Sequence, residues 1–418
     1  MKEEIKKRIE AVRRGEVPEG YKLCESAPIP EDWDAKPLSK LSKVLTEPAR
    51  NREYETLSIS AGIGFVNQAE KFGKELSGKQ YEKYTVLREG DFAYNKGNSK
   101  KYPQGCTYQL VGRDEAAVPN VFECFRMVGV EPSYYAQLFI NGFMNHQLAR
   151  KINHGVRDDG LLNLTEDDFF STVLPVPPLP EQQKIAEILA TCDKVIELKQ
   201  KLIEEKRRQK KWLMHKLLMP QKAWKKTTIG QIAKVTTGAT PDTKRPEYWN
   251  GEIRWMNSGE LNLKHVFEVE GRITDLGLRK SGTKLIPASC ILIGLAGQGK
   301  TRGTVAINHV ELCTNQSIAA IHPSEHYISE YLYHYLDSKY LELRKISSGD
   351  GARGGLNLDI IAGFVVYFPD NTEQRRIASI LTASDDEISL LEQELTEWQQ
   401  KKKALMQLLL TGLVRVKV

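Results

Sequence analysis

Two stretches of this chain, EQQKIAEILATCDKVIELKQ from Glu181 and EQRRIASILTASDDEISLLE from Glu373, are one helix written twice. Of the 38 pairs formed by residues 181–218 and 373–410, 16 are identical, where ordinary residue frequencies give roughly two or three. An internal repeat constrains a fold more than any single motif, because both copies must solve the same packing problem. The offset persists outside the helices: WDAKPLSKLSKV from Trp33 matches WKKTTIGQIAKV from Trp224, RKI recurs at Arg150 and Arg344, and LNL recurs at Leu162 and Leu356. Each copy is therefore a variable region followed by a long helix. The predicted division is 1–30 an N-terminal segment packing near the C-terminus, 31–176 a first globular domain, 177–220 a central helix, 221–368 a second domain, 369–412 a distal helix and 413–418 a tail.

The helices carry their own signals. Pro180 suits a first turn, where its missing N–H costs nothing, and Asn371 followed by Gln374 reads as a capping box. Apolar residues recur at three- and four-residue steps through Ile185, Ile188, Cys192, Val195, Leu202, Leu213 and Leu217, and through Ile377, Ile380, Ile388, Leu391, Leu395, Leu405 and Leu409, a coiled-coil-like seam. The second domain leaves one helix at its end and enters the other at its start, which predicts an antiparallel pair. Aligning the ends sets Lys206, Arg207 and Arg208 beside Asp385, Asp386 and Glu387, opposite charges that should meet. The expected architecture is a stiff spacer carrying two pseudo-two-fold-related domains, with the chain's ends meeting beside the first in a quasi-circular repeat. Each domain mixes short β-rich runs with one helix, so its class is α/β or α+β.

The stretch CILIGLAGQGKTRG satisfies the phosphate-binding pattern G-x-x-x-x-G-K-[ST] at Gly294, Gly299, Lys300 and Thr301. That pattern works only where a strand ends in the loop and a helix begins at the Lys-Thr pair. Here Arg302-Gly303 leads into the β-branched run from Thr304, so a strand-turn-strand is predicted instead. There is no G-x-S-x-G, no histidine-metal spacing and no glycine loop at a strand-to-helix turn. The six cysteines form no C-x-x-C, and nowhere is there an apolar run long enough to cross a bilayer. A reducing cytoplasm is the expected location.

A net charge of +6 permits a polyanionic partner without requiring one. More specific are loops that alternate basic, amide and aromatic residues: NKGNSKKYPQG from Asn95, TPDTKRPEYWNG from Thr240 and GQGKTRG from Gly297. Arg and Lys hold phosphates, while Asn, Gln and Arg form paired hydrogen bonds with base edges. The candidate DNA-binding residues are Lys96, Asn98, Lys100 and Lys101 in the first domain, and Lys244, Arg245, Tyr248, Gln298, Lys300 and Arg302 in the second. The two competing readings are a nucleotide hydrolase using Gly294–Thr301 and a coiled-coil adaptor that binds only proteins.

PLPEQQKIAEILATCDKVI, TEQRRIASILTASDDEISLLEQEL, KKKALMQLLLTG, the opening PEGYK and IPEDW, and YWNGEIRWMNSGEL followed by ITDLGL, IPASC and TNQS carry a likeness over essentially the whole chain. The sequence resembles a specificity subunit of a type I restriction-modification enzyme. The resemblance implies two target recognition domains, each binding one half of a split, asymmetric sequence in double-stranded DNA. It implies helices that set the spacing and dock two modification (methyltransferase) subunits, which restriction (translocase and nuclease) subunits join. It also implies no catalytic residue, metal or cofactor in this chain, with S-adenosylmethionine, ATP and magnesium held by partner subunits.

Overall fold

The computed structural model describes residues 3–25, 27–72, 78–97, 101–152, 161–297, 301–347 and 355–417. The chain divides into two compact units. Unit 1 is Met1–Lys199 with Leu395–Val418, and unit 2 is Gln200–Glu394. The long helices Leu179–Leu217 and Asn371–Leu409 each give one part to either unit.

Unit 1 is built on β1 (Asp34–Pro37), β2 (Ser42–Val44), β3 (Phe92–Asn95), β4 (Cys106–Gln109), β5 (Glu123–Met127) and β6 (Val173–Val176). Its main sheet runs β2-β5-β3-β4 and is antiparallel throughout. Phe92 and Tyr94 point to the face covered by the helix Pro132–Ile140 and the long helices, whereas Ala93 packs on the other side with Leu57 and Leu87. Both faces are thus buried. The core is strongly aromatic: Phe92 stacks on Phe125 at 5.3 Å and Tyr94 on Phe169 at 4.3 Å.

Unit 2 repeats the plan with β7 (Lys225–Thr228), β8 (Val235–Thr237), β9 (His265–Val266), β10 (Ile291–Gly294), β11 (Val305–Asn308), β12 (Ile318–Ile321) and β13 (Val365–Phe368). Its sheet runs β8-β12-β10-β11-β9, the same order with one parallel edge strand added. The strands ILIG, VAIN and IAAI are buried at every position because alternate residues serve cores on opposite faces, Ile291 and Ile293 on one and Leu292 on the other. The closing strands correspond as well, β1 with β6 and β7 with β13. The sheets are mainly antiparallel, so of the two classes open from sequence the α+β description fits.

The repeated glutamine at the start of each long helix is a buried clamp. Gln182 accepts from Glu131 N at 2.8 Å and donates to Pro177 O at 2.7 Å; Gln374 accepts from Ile328 N at 2.9 Å and donates to Pro369 O at 3.0 Å. Each amide, almost fully buried, satisfies both of its ends while tying the long helix to a strand end and to the first turn of the domain's own helix. The expected capping box is not formed: Asp370 Oδ1 caps the N–H of Glu373, whose carboxylate takes Arg376, and the Gln374 amide is used by the clamp and reaches Asn371 Oδ1 at 3.3 Å.

Within each unit the helix segments run antiparallel. In unit 2 Lys206 meets Glu387 and Lys210 meets Asp385, so one residue number falls as the other rises. In unit 1 Lys402 meets Asp193. Lys402 is the repeat counterpart of Lys210 and Asp385 that of Asp193, so one bond is made twice. Arg207 reaches Glu392, and Arg208 lies 3.9 Å from Glu205 on its own helix; Asp386 is exposed. The reason is periodicity, since Lys206 and Lys210 share a face that Arg208 does not. The seam also shifts by one position, with Ile203 buried and Leu202 40% exposed.

The ends of unit 1 close on each other. Tyr21 donates to Gly412 O at 2.7 Å. Arg415 forks onto Asp32 at 2.9 Å and onto Glu181 at 2.7 and 2.8 Å, and Trp33 Nε1 donates to the same buried Glu181. The Arg415 bond holds the Asp32 carboxyl below its ordinary range.

Candidate nucleic-acid interface

The candidate loops of the two units occupy the same place in the repeat. NKGNSKKYPQG joins β3 to β4, and GQGKTRG joins β10 to β11, the corresponding hairpin. The hairpins are anchored alike: Leu162 N bonds Lys96 O at 3.0 Å and Leu356 N bonds Leu295 O at 2.9 Å, which is the structural meaning of the repeated LNL.

In unit 2 the phosphate-loop look-alike is a hairpin end. Gly294 N bonds Thr304 O at 3.0 Å and Gly303 N returns to Gly294 O at 2.8 Å, so the chain goes from strand through turn into β11 with no helix after Thr301. A side chain at Gly294 would stand 2.2 Å from Thr301 O. The glycine thus serves the turn. Arg302 is half-buried on it, and Gln298 and Lys300 lie outside the described residues.

The second loop of unit 2 leaves β8 at Gly238, where a Cβ would come 1.8 Å from Thr314 O. Two indoles pin the backbone beyond it: Trp255 Nε1 donates to Ala239 O at 3.0 Å, Trp249 Nε1 to Asp242 O at 3.1 Å, and the rings meet edge to face at 5.1 Å. Asp242 Oδ1 accepts from Lys244 N at 2.9 Å, a local turn that stands Lys244 and Arg245 out to solvent. Arg245 lies 5.9 Å over the Tyr248 ring and 3.4 Å from Glu247. These three candidate residues therefore form one braced patch, Lys244 and Arg245 exposed and Tyr248 half-buried beneath them. Arg254 and Arg272 do not add to it, because both pair with Glu268, whose carboxyl they and Val269 N–H push down to about 2, the Arg254 bond contributing most.

In unit 1 Lys101 is exposed, its ammonium 5.8 Å over the Tyr102 ring. Lys96 is placed differently: its ammonium pairs with Glu123 on β5 and its side chain is only 18% exposed, so it braces the root of the loop. Asn98 and Lys100 lie outside the described residues. The pinning tryptophans and the anchoring leucines escape a search for charged loops, although the repeated LNL marks where to look.

Among the described residues no group of three His, Cys, Asp or Glu side chains is placed to hold a metal ion, and no helix is long and apolar enough to cross a membrane. A family model described as the type I restriction modification DNA specificity domain matches residues 131–206 and 221–400. The chain belongs to this family. The matched segments contain both clamping glutamines of the specificity fold, Gln182 and Gln374. Over 435 residues the chain is 23% identical to a putative type I restriction enzyme MjaX specificity subunit of Methanocaldococcus jannaschii, covering 96% of this chain and 97% of that one. It is 30% identical over 224 residues to the EcoR124I/EcoR124II specificity subunit of Escherichia coli, covering 51% and 55%. Its fold is similar to that of a type I restriction-modification S subunit from M. genitalium, with a TM-score of 0.58 at 13% identity, covering 93% of this chain and 97% of that one. A chain from a study of assembly and conformational transition in a type I R-M system gives 0.58 at 15%, covering 92% and 99%.

Proposed function

We propose that this chain is the non-catalytic DNA-reading subunit of a type I restriction-modification complex, with each unit recognising one half of a bipartite, asymmetric target. The observation that carries the reading is the repetition of one sheet order with a basic, amide-containing hairpin at the same place in both units. Lys101, Lys244, Arg245, Tyr248 and Arg302, with Asn98, Lys100, Gln298 and Lys300, supply the contacts to phosphates and base edges, and Lys96 positions its loop. The long helices set the spacing between half-sites and dock two modification subunits. Leu198 and its repeat counterpart Leu390 are 52% and 57% exposed, matched apolar positions suited to two like partners. S-adenosylmethionine, ATP and magnesium belong to those partners and to the restriction subunits.

Mapping methylated adenines in the host genome tests this. Deleting the gene should abolish one bipartite motif and leave other methylation unchanged. With the complex in hand, log Kd for duplex against log salt should rise with a slope of about 0.9 per phosphate neutralised, and the slope should drop by about 0.9 when Lys244 or Arg245 becomes alanine. A protein-only adaptor binds no duplex even at low salt, and a nucleotide hydrolase loses ATP turnover on Lys300→Ala.

A further inference from the structure

The two units share one more exposed feature. In unit 1 the strand Glu115–Val118 turns into β5 through Pro119, Asn120, Val121 and Phe122, closed by Phe122 N to Pro119 O at 3.1 Å. In unit 2 the strand Leu312–Thr314 turns into β12 through Asn315, Gln316, Ser317 and Ile318, closed by Ile318 N to Asn315 O at 3.4 Å. Register identifies these as one turn, since Phe125 faces Val44 as Ile321 faces Val235, the two valines being repeat counterparts. The second position of each turn is an exposed carboxamide, Asn120 and Gln316. Its neighbours do not match: proline stands against asparagine before it and valine against serine after it. Turn chemistry accounts for an asparagine, which bonds its own backbone, but not for the longer glutamine.

Gln316 is held. Its Oε1 accepts from the Thr240 hydroxyl at 2.7 Å, so the amide N–H groups remain to face outward. Thr237, at the root of the loop carrying Lys244 and Arg245, donates to Gln316 O at 3.2 Å. On the other side Leu295 N, at the root of the β10–β11 hairpin, bonds Ser317 O at 2.8 Å. The carboxamide therefore stands between the two candidate DNA-binding loops.

We infer that Asn120 and Gln316 are a matched pair of DNA-backbone contacts, each donating an amide N–H to a phosphate oxygen, one in each half-site. This rests on the DNA-reading function proposed above. Residues that read bases must differ when two units read different sequences. A chemistry kept by both at one exposed position answers to what both half-sites share, the sugar-phosphate backbone. With its Oε1 turned to the Thr240 hydroxyl, Gln316 presents its N–H donors outward, which suits a phosphate oxygen better than the paired donor and acceptor of an adenine edge.

The test uses the complex purified from its host and a pool of duplexes with randomised base pairs. Asn120→Ala and Gln316→Ala each weaken binding about threefold to tenfold on every duplex. The preferred sequence stays the same, and so does the salt slope, because a neutral donor releases no counterion. Gln316→Lys keeps a donor and adds a charge, so affinity returns to the wild-type level or above it and the slope steepens by about 0.9. An alanine variant that relaxes the preference at one base pair, or that binds every duplex as tightly as wild type, overturns the inference while leaving the proposed function standing. A wild-type complex that binds no duplex overturns both.

Discussion

His334 and Gln137 show how one residue separates two otherwise matched sites. Each lies on its domain's helix facing a long-helix aspartate, Asp193 for Gln137 and its repeat counterpart Asp385 for His334. Gln137 donates to Asp193 Oδ2 at 2.9 Å, completing a carboxylate whose other oxygen takes Lys402. His334 is fully buried, its Nε2 3.0 Å from Thr382 Oγ1 and its Nδ1 3.8 Å from Asp385 Oδ2, and neither of the latter two atoms has a hydrogen-bond partner. His265 Nε2 faces the same oxygen at 4.0 Å. Burial, followed by the Lys210 charge, pushes the His334 imidazole down to about 3. Burial alone would raise the Asp385 carboxyl, but His265, Lys210 and His334 outweigh it and hold it below its usual range. The unfolded chain takes up a proton on residue 334 at an ordinary pKa of about 6.5, whereas the folded one refuses it until about pH 3. Below pH 6.5 the unfolded state binds more protons, so stability falls as pH falls, by at most about 1.4 kcal/mol per pH unit. His334→Gln should flatten that acid-side loss and supply Asp385 with the donor its counterpart enjoys. Hydrogen exchange in residues 329–338 at pH 7 and pH 5 measures it; equal pH dependence in variant and wild type would show the histidine is not the cause.

At the scale of elements, the twice-made ion pair ties helix direction to the duplication. Where both copies keep the same two residues, the bond between the repeated helices is made in each unit, as Asp193–Lys402 and Lys210–Asp385 are; Lys206–Glu387 is made once, because Trp398 and Val195 stand at the counterpart positions. In unit 1 this pair is partly buried, the Lys402 side chain 14% and Asp193 44% exposed. Asp193→Lys should cost about 1–3 kcal/mol by setting like charges together, and adding Lys402→Asp should recover most of it, read as unfolding midpoints in urea. An unrecovered double variant would mean that the contact matters for shape and not for charge. The helices and their direction were legible because a 3.6-residue period and an offset of 192 survive in the letters. The facing residues were partly legible: aligning the ends brings out Lys206 with Glu387, which pair, but not Lys210, the partner of Asp385, one turn further along. The hairpin at Gly294 was legible from its β-branched exit. Sheet order was not, since strands of three to five residues pair across long intervening segments, β2 with β5 among them, and nothing local encodes such a partner. Among the site residues, exposed Lys101, Lys244 and Arg245 stood out by charge, but charge could not tell them from Lys96, whose fate depends on Glu123 meeting it across the sheet.

For the molecule as a whole, the duplication predicts that recognition is modular, and the strand pairing says where the modules can be cut. Segment 31–176 enters and leaves through β1 and β6, which pair from Asp34 with Val176 to Pro37 with Val173. An exchanged domain therefore brings its own closing ribbon. The clamp stays behind on Gln182 and asks only for a backbone N–H at the position of Glu131, which any residue but proline supplies. Side-chain contacts also cross the cut: Gln137 donates to Asp193 and Tyr134 to Leu410 O from the domain's helix, and at the domain's entrance Arg415 in the tail needs Asp32 and Glu181 needs Trp33. A chimera keeping an acid and a tryptophan at those two positions should fold as the parent does, while one lacking them leaves Glu181 and Arg415 short of partners and loses about 2–4 kcal/mol. The well-folded chimera, expressed in the host, should direct methylation to a motif in which one half is new and the other half and the spacing are those of the parent. A motif changed in both halves would mean that the units do not read independently, and an altered spacing would mean that the long helices do not set it.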